Sequence, residues 1–317
     1  MSLEKLDVLS MGETMALLVA QEAGALADVQ TFSKRLAGAD TNVAIGLSRL
    51  GFKVGWISRL GADSFGAYVR KSVEAEGVDT SQVQVDANRS TGFMLKSRST
   101  DGSDPKIEYY RRGSAASQLG VQHFNPDYAL KARHVHATGI TPALSADARE
   151  LVAHAMKTMR AAGRTVSFDP NLRPSLWPDA TTMRDTLNAL ATHADWVLPG
   201  HEEGRQLTGQ DTPADIAAWY IDRGAKAVVI KMGADGAYFR TAGGEQGQVA
   251  GVAVPKIIDT VGAGDAFAVG IISAQLEGLG WPQALRRANW IASRALQVIG
   301  DMEGLPTRSE LAAGLAD

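Results

Sequence analysis

The chain contains no cysteine, which excludes a disulfide framework and thiolate metal ligation. No apolar run reaches the roughly 18 residues of a membrane-spanning helix. The opening "MSLEKLDVLSMGETMALLV" lacks the profile of a secretory signal. These two absences lead to the expectation of a cytoplasmic protein. A charge excess is also missing. The 32 Lys and Arg against 35 Asp and Glu leave a net charge of −3, so neither nucleic acid nor an anionic membrane is an expected partner. The phosphate loop G-x-x-x-x-G-K-[ST] is absent, and the first strand-like run carries Gly12 alone rather than G-x-G-x-x-G. A Walker-type loop and a dinucleotide fingerprint are thus excluded. The six histidines show no ligand spacing with carboxylates, and His134 and His136 in "HVH" read as one face of a strand.

What is present suits a sizeable core. The 317 residues are 45% hydrophobic and 21% charged, an ordinary globular balance. β-like runs ("LDVLSMG", "KVGWISRLG", "HVHATG", "TVSFDPN", "DWVLPG", "AVVIKMG") alternate with helical stretches such as "NVAIGLSRLG" and "DARELVAHAMKTMRAAG". Such alternation indicates βαβ units, hence an α/β fold whose mainly parallel sheet is covered by helices on both faces. Two stretches, about 14–37 and 90–112, break the pattern with short strands and turns, "STDGSDPK" among them. They predict a small antiparallel β-sheet lid against one domain spanning 1–317, with a ligand cleft between the two. Many of the β-like runs end in Gly, Asp, Asn or Pro, and open parallel sheets bind ligands beyond the carboxyl ends of their strands.

One short stretch carries a chemical signal. In "DTVGAGDAFAVGIISAQL", Gly262, Ala263 and Gly264 precede a helical run that has Asp265 in or beside its first turn. A helix start offers free N–H groups and a positive dipole end, suited to phosphate. A carboxylate beside it can take the proton of a hydroxyl attacking a phosphorus held there. By residue type alone, the same stretch also reads as an ordinary helix cap.

The longer string Asp259-Thr260-x-Gly262-Ala263-Gly264-Asp265-Ala266-Phe267 resembles the C-terminal signature of ribokinase-like sugar kinases of the phosphofructokinase-B type. "AGADTNVAIGLSRLG" is similar to that family's N-terminal motif, with Gly38 and Asn42 in place and Ala37 for the first glycine; "RLGADSFG" matches a third element. The resemblance runs from about Met11 to Pro306. Within the family, "IEYYRRGSAAS", "FDPNLRPSLWP", "LPGHEEGRQLTG" and "GDMEGLPTR" look most like 2-keto-3-deoxygluconate kinases.

The resemblance implies a ribokinase-like fold and a role for each matched residue. Asp265 is the catalytic base, and the amides of Gly262, Ala263 and Gly264 form the anion hole. Gly38, Ala39, Asp40, Thr41 and Asn42 line the sugar site, with Met94 where related kinases carry Tyr. Tyr109 and Arg111 supply an aromatic wall and a guanidinium, and Arg173 a second cation; Arg binds carboxylates as a fork. Asp301 is a late substrate-side or cation-side carboxylate. Lys231, Gly233 and Gly236 of "KMGADG" belong to the ATP loop, together with Gly262 and Gly264. Asn289 stands on the adenine side, with Ser293 one turn on. Glu203 remains of an N-x-x-E string that organises Mg²⁺, the asparagine being replaced by Gly200. Asp259 helps hold a monovalent cation such as K⁺. The implied activity is ATP-dependent phosphorylation of a hydroxyl of a small sugar acid, 2-keto-3-deoxygluconate first, by a homo-oligomer paired through the lid. A fructokinase or related sugar kinase is the enzymatic alternative; a non-catalytic sugar or nucleotide sensor is the alternative of another class.

Overall fold

The computed structural model of the chain describes residues 5–98 and 105–315. In chain order the strands are β1 (Leu6–Met11), β2 (Met15–Ala23), β3 (Phe32–Ala37), β4 (Val54–Gly61), β5 (Asp79–Asp86), β6 (Phe93–Arg98) and β7 (Ile107–Tyr110). They continue with β8 (Ala132–Thr138), β9 (Thr165–Asp169), β10 (Trp196–Val197), β11 (Ala227–Lys231), β12 (Ala237–Thr241) and β13 (Gln246–Val249). Nine of them form one sheet, in the order β13-β12-β11-β10-β9-β8-β1-β4-β5. It is parallel from β11 to β5, where helices link most neighbours, and antiparallel at the β11–β12–β13 edge.

Strand periodicity divides the core in two. Val8, Val54 and Trp56 face one layer, with the helices Ala39–Arg49, Ala263–Leu276 and Trp281–Ala295. Leu9, Met11 and Ile57, one residue out of phase, face the other, with the helices Ala146–Ala161, Ala180–Ala191 and Pro213–Ile221. Successive side chains of a strand point to opposite faces, so each central strand feeds both layers.

The remaining four strands make the small sheet, in the order β3-β2-β6-β7. Its inner face buries Met15, Leu17, Val19, Ala37 and Met94. The predicted strands 14–37 and 90–112 are therefore found, but one pairing differs from expectation. β2 and β6 run parallel, Leu17 opposite Met94. After β3 the chain passes through β4 and β5 of the large sheet and returns in β6 along the direction of β2; only the β2–β3 and β6–β7 pairs are antiparallel. Most of the predicted "STDGSDPK" turn lies outside the described residues. No helix among the described residues is long and apolar enough to cross a membrane.

Candidate active site

The carboxyl ends of β1, β8, β9 and β11, the helix start at Ala263 and the small sheet enclose a cavity of about 870 Å³. Asp265 lies in its wall, only 7% exposed. The Asn42 side-chain amide donates to one Asp265 oxygen at 2.8 Å, and that of Asn171 approaches the other at 3.4 Å. Burial is the main influence that pushes the Asp265 carboxyl up to about 7. The Asn42 hydrogen bond opposes it, nearby Asp169 reinforces it, and Arg173 and Lys231 pull the other way. A carboxyl with such a pKa is matched to proton abstraction near neutrality.

Gly262 caps the Ala263–Leu276 helix in the left-handed region, at φ 82°, without any side-chain cap. The leading amides have no intrahelical acceptors. Gly262, Gly264 and Asp265 face the cavity together, so the glycine turn and the carboxylate adjoin.

The sugar-side residues divide. Gly38, Ala39, Asn42, Met94, Tyr109, Arg111, Arg173 and Asp301 line the cavity. Asp40 and Thr41 do not, which corrects the expectation for both. The Asp40 carboxyl turns beneath β1 and accepts from Thr141 at 3.0 Å and Thr138 at 3.2 Å, where burial drives it up to about 7. Thr41 bonds to Thr14 and to the Gly38 carbonyl. On a helix, neighbours point about 100° apart, so only part of a consecutive run can face one cavity.

Arg111 lies one residue past β7, with Nε and Nη2 both 2.6 Å from one Glu13 oxygen. Glu13 is buried and also accepts from Ser114. Arg173 forms no ion pair among the described residues; its Nη1 donates to the Leu172 carbonyl at 2.8 Å. Arg173 is thus the less neutralised of the two cations. Asp301, buried, has one oxygen without a hydrogen-bond partner among the described residues, and burial pushes its carboxyl up to about 7.

A second cavity, of about 750 Å³, adjoins the first and shares Glu203 and Lys231 with it. Gly200, Gly233 and Asp235 contribute to its wall. Gly236, at φ 87°, packs where a Cβ would lie 2.0 Å from the Val249 carbonyl oxygen, so only glycine fits this turn. Lys231 is the last residue of β11 rather than part of the loop. Its ammonium sits 2.6 Å from Asp169. Burial works against its charge, but Asp169 and Glu203 outweigh burial and hold its pKa above the ordinary lysine value. A charged lysine between the two cavities is placed to meet a phosphate passing from one to the other.

Asn289 and Ser293 do not reach the second cavity. Asn289 donates to the Val249 and Ala250 carbonyls at 3.3 and 2.9 Å, and Ser293 to the Trp290 carbonyl of its own helix. Asn289 fixes the loop after β13; Ser293 is a satisfied helix position. Glu203 is also committed to backbone. Its oxygens accept from Leu172 and Gly200, both at 2.7 Å. No cluster of three metal-ligating side chains exists among the described residues. The donor set therefore fits Mg²⁺ only as an ion ligated chiefly by phosphate and water, with Glu203 near it. Asp259 departs further from expectation, because its carboxylate is ion-paired to Lys96.

Asp169, Asn171 and Glu13 were not anticipated as site residues. The strand-end string "FDPN" pointed to the first two. Asn171 has the one positive φ of a non-glycine residue among those described, 40°, a strained conformation of the kind found at functional sites.

A pH dependence follows from Asp265. With Asp265 as the base, which works only when deprotonated, kcat/KM should fall tenfold per pH unit below about 7 in the free enzyme. Arg173→Gln removes a neighbour that favours the carboxylate, and should move this limb to higher pH. A pH–rate profile of both proteins checks it; an unmoved limb would assign the ionisation elsewhere.

Comparison with known proteins agrees with this fold. The pfkB family carbohydrate kinases match residues 5–308. The 2-dehydro-3-deoxygluconokinase of Bacillus subtilis (strain 168) is 50% identical over 313 residues, covering 98% of this chain and 96% of its own. A PfkB protein from Polaromonas sp. JS666 has a crystal structure that superposes with a TM-score of 0.91 at 55% identity, covering 97% of this chain and 99% of that one. A putative ribokinase II from E. coli, solved with ATP and Mg²⁺, superposes with a TM-score of 0.88 at 28% identity, covering 98% and 99%. The fold is ribokinase-like, and the chain belongs to the pfkB family of carbohydrate kinases.

Proposed function

We propose that the chain transfers the terminal phosphoryl group of ATP to a hydroxyl of 2-keto-3-deoxygluconate, the sugar acid also called 2-dehydro-3-deoxygluconate. The single observation that carries the transfer chemistry is the buried Asp265 beside the Gly262–Gly264 turn, facing a cavity that Arg111 and Arg173 also line. Asp265 takes the proton of the sugar hydroxyl as its oxygen bonds to phosphorus, and ADP leaves. The amides of the turn and Lys231 meet the charge on the transferring group. Glu203 would hold Mg²⁺ through water when the ion binds with ATP, and the ion would supply neutralisation of phosphate charge. The name of the half-identical Bacillus subtilis relative supports the sugar-acid choice, as does Arg173, a guanidinium free to bind a carboxylate bidentately.

ADP release measured with 2-keto-3-deoxygluconate, fructose and ribose tests this. The expected result is a kcat/KM preference of at least about 100-fold for the acid, two charge-assisted hydrogen bonds being worth a few kcal/mol. A preference for fructose would overturn the substrate assignment, and tight sugar binding without turnover would favour a sensor. Arg173→Met should raise KM for the sugar acid by about tenfold to a hundredfold. For any neutral sugar that turns over, KM should stay within about threefold, because only the acid loses a charge-assisted bond. Equal losses on both would remove Arg173 from carboxylate recognition.

A further inference from the structure

Lys96 belongs to β6 of the small sheet, yet its ammonium is buried against Asp259 of the large domain. The two side chains are 2% and 3% exposed. Asp259 lies three residues before Gly262. One of its oxygens accepts from the Val261 amide at 3.2 Å; the other accepts from the Gly300 amide at 3.3 Å and meets Lys96. The carboxylate thereby clamps the segment leading into the anion turn to the segment before Asp301. These two segments touch closely, since a Cβ on Gly262 would lie 2.4 Å from the Asp301 carbonyl oxygen. Asp259, Asp265 and Asp301 are all buried in this corner. An unpaired buried carboxylate costs several kcal/mol, so the clamp needs a cation, and the structure provides one from the protein itself.

The Lys96 ammonium already brings the charge that a monovalent metal ion would supply, and with two backbone amides it takes three of the roughly four acceptor sites of the Asp259 carboxylate. We infer that Lys96 is a built-in monovalent cation: a positioning residue that neutralises Asp259, holds the anion turn in register, and makes the transfer reaction independent of K⁺. It also ties the small sheet to that turn, because Met94, two residues earlier on the same face of β6, forms part of the sugar cavity. An ammonium in this place cannot diffuse away, whereas a free ion would make the turn's geometry depend on salt composition.

The inference rests on the kinase reading, but its test also has an arm that needs no substrate. Wild-type ADP release, with KCl replaced by tetramethylammonium chloride at matched ionic strength, should stay within about twofold. Lys96→Ala removes three methylenes and the ammonium, leaving room for a small cation beside an uncompensated carboxylate, a loss large enough to lower kcat by at least about tenfold. Added K⁺ or NH₄⁺ should restore much of that rate, while tetramethylammonium, too large to enter, should not. Without substrate, the Tm of Lys96→Ala should rise with KCl relative to tetramethylammonium chloride and that of the wild type should not. A wild-type rate or Tm that depends on K⁺ would overturn the inference even if the variant fails to fold. A folded variant with wild-type activity, or a loss that no small cation rescues, would overturn it too. If no sugar is phosphorylated, the proposed function fails while the Tm comparison still decides the role of Lys96.

Discussion

Asp265→Asn should lower kcat by about 10³-fold, within the range expected for removal of a positioned general base. The argument lies in what the substitution keeps. Asparagine has the volume of aspartate, so the cavity wall holds its shape. Its carbonyl can still accept from Asn42, the stronger of the two side-chain contacts at 2.8 Å. What disappears is the ability to take a proton. Sugar KM should therefore change by less than about threefold, because a hydroxyl can still bond to the amide. Stability should not fall at pH 8. Burial disfavours the Asp265 carboxylate in the folded state, so a neutral side chain relieves a cost there. Groups tuned for chemistry often burden the fold in this way. ADP-release kinetics with thermal unfolding checks both halves. A variant rate within tenfold of wild type would mean that the proton leaves by another route; a large fall in Tm would mean that the carboxylate is structural.

The contrast between legible and hidden features follows sequence distance. The α/β alternation, the strand-end rim and the Gly262–Asp265 turn were legible because each is local: a period of two, a period near 3.6, a run of glycines before a helix. The hairpin of β12 and β13 was not, because "TAGGEQGQV" is polar and short and lies at the sheet edge, where one face stays wet. The parallel β2–β6 pair was hidden because nothing local reports that a chain goes away and comes back. Site partners failed for the same reason. Asp169 meets Lys231 across 62 residues, Asn171 meets Asp265 across 94, and Glu13 meets Arg111 across 98. Resemblance pointed to Arg111 and Asp259, yet could not reveal that each already had a charged partner. Asp40 and Thr41 show the opposite error: adjacent to true wall residues in sequence, they are turned away by the helix.

Gly262→Ala should lower kcat by about 10²–10³-fold, the magnitude seen when an oxyanion donor is lost. Two constraints act on one residue. At φ 82° a side chain is in the left-handed region, which costs roughly 1–2 kcal/mol for a non-glycine residue. The added Cβ would also stand 2.4 Å from the Asp301 carbonyl oxygen and 3.1 Å from the Asp301 Cα, both of them backbone atoms. That segment cannot yield cheaply, because the Gly300 amide before it is held by Asp259. The turn must move instead, and it carries the amides proposed to meet the transferring phosphoryl. A displacement of an ångström at such donors is expensive, since their value lies in being fixed beforehand. Gly264→Ala is the matched control. Gly264 has no positive φ, and its nearest foreign atom to a new Cβ is the Lys231 Nζ at 3.6 Å, an ordinary contact. It should lose less than about tenfold, with neither a strained φ nor a clash forcing the donors to move. Kinetics of the two variants side by side separate turn geometry from the mere addition of a methyl group. Equal losses would show that the methyl obstructs the phosphoryl site directly, and a harmless Gly262→Ala would remove the turn from transition-state stabilisation altogether.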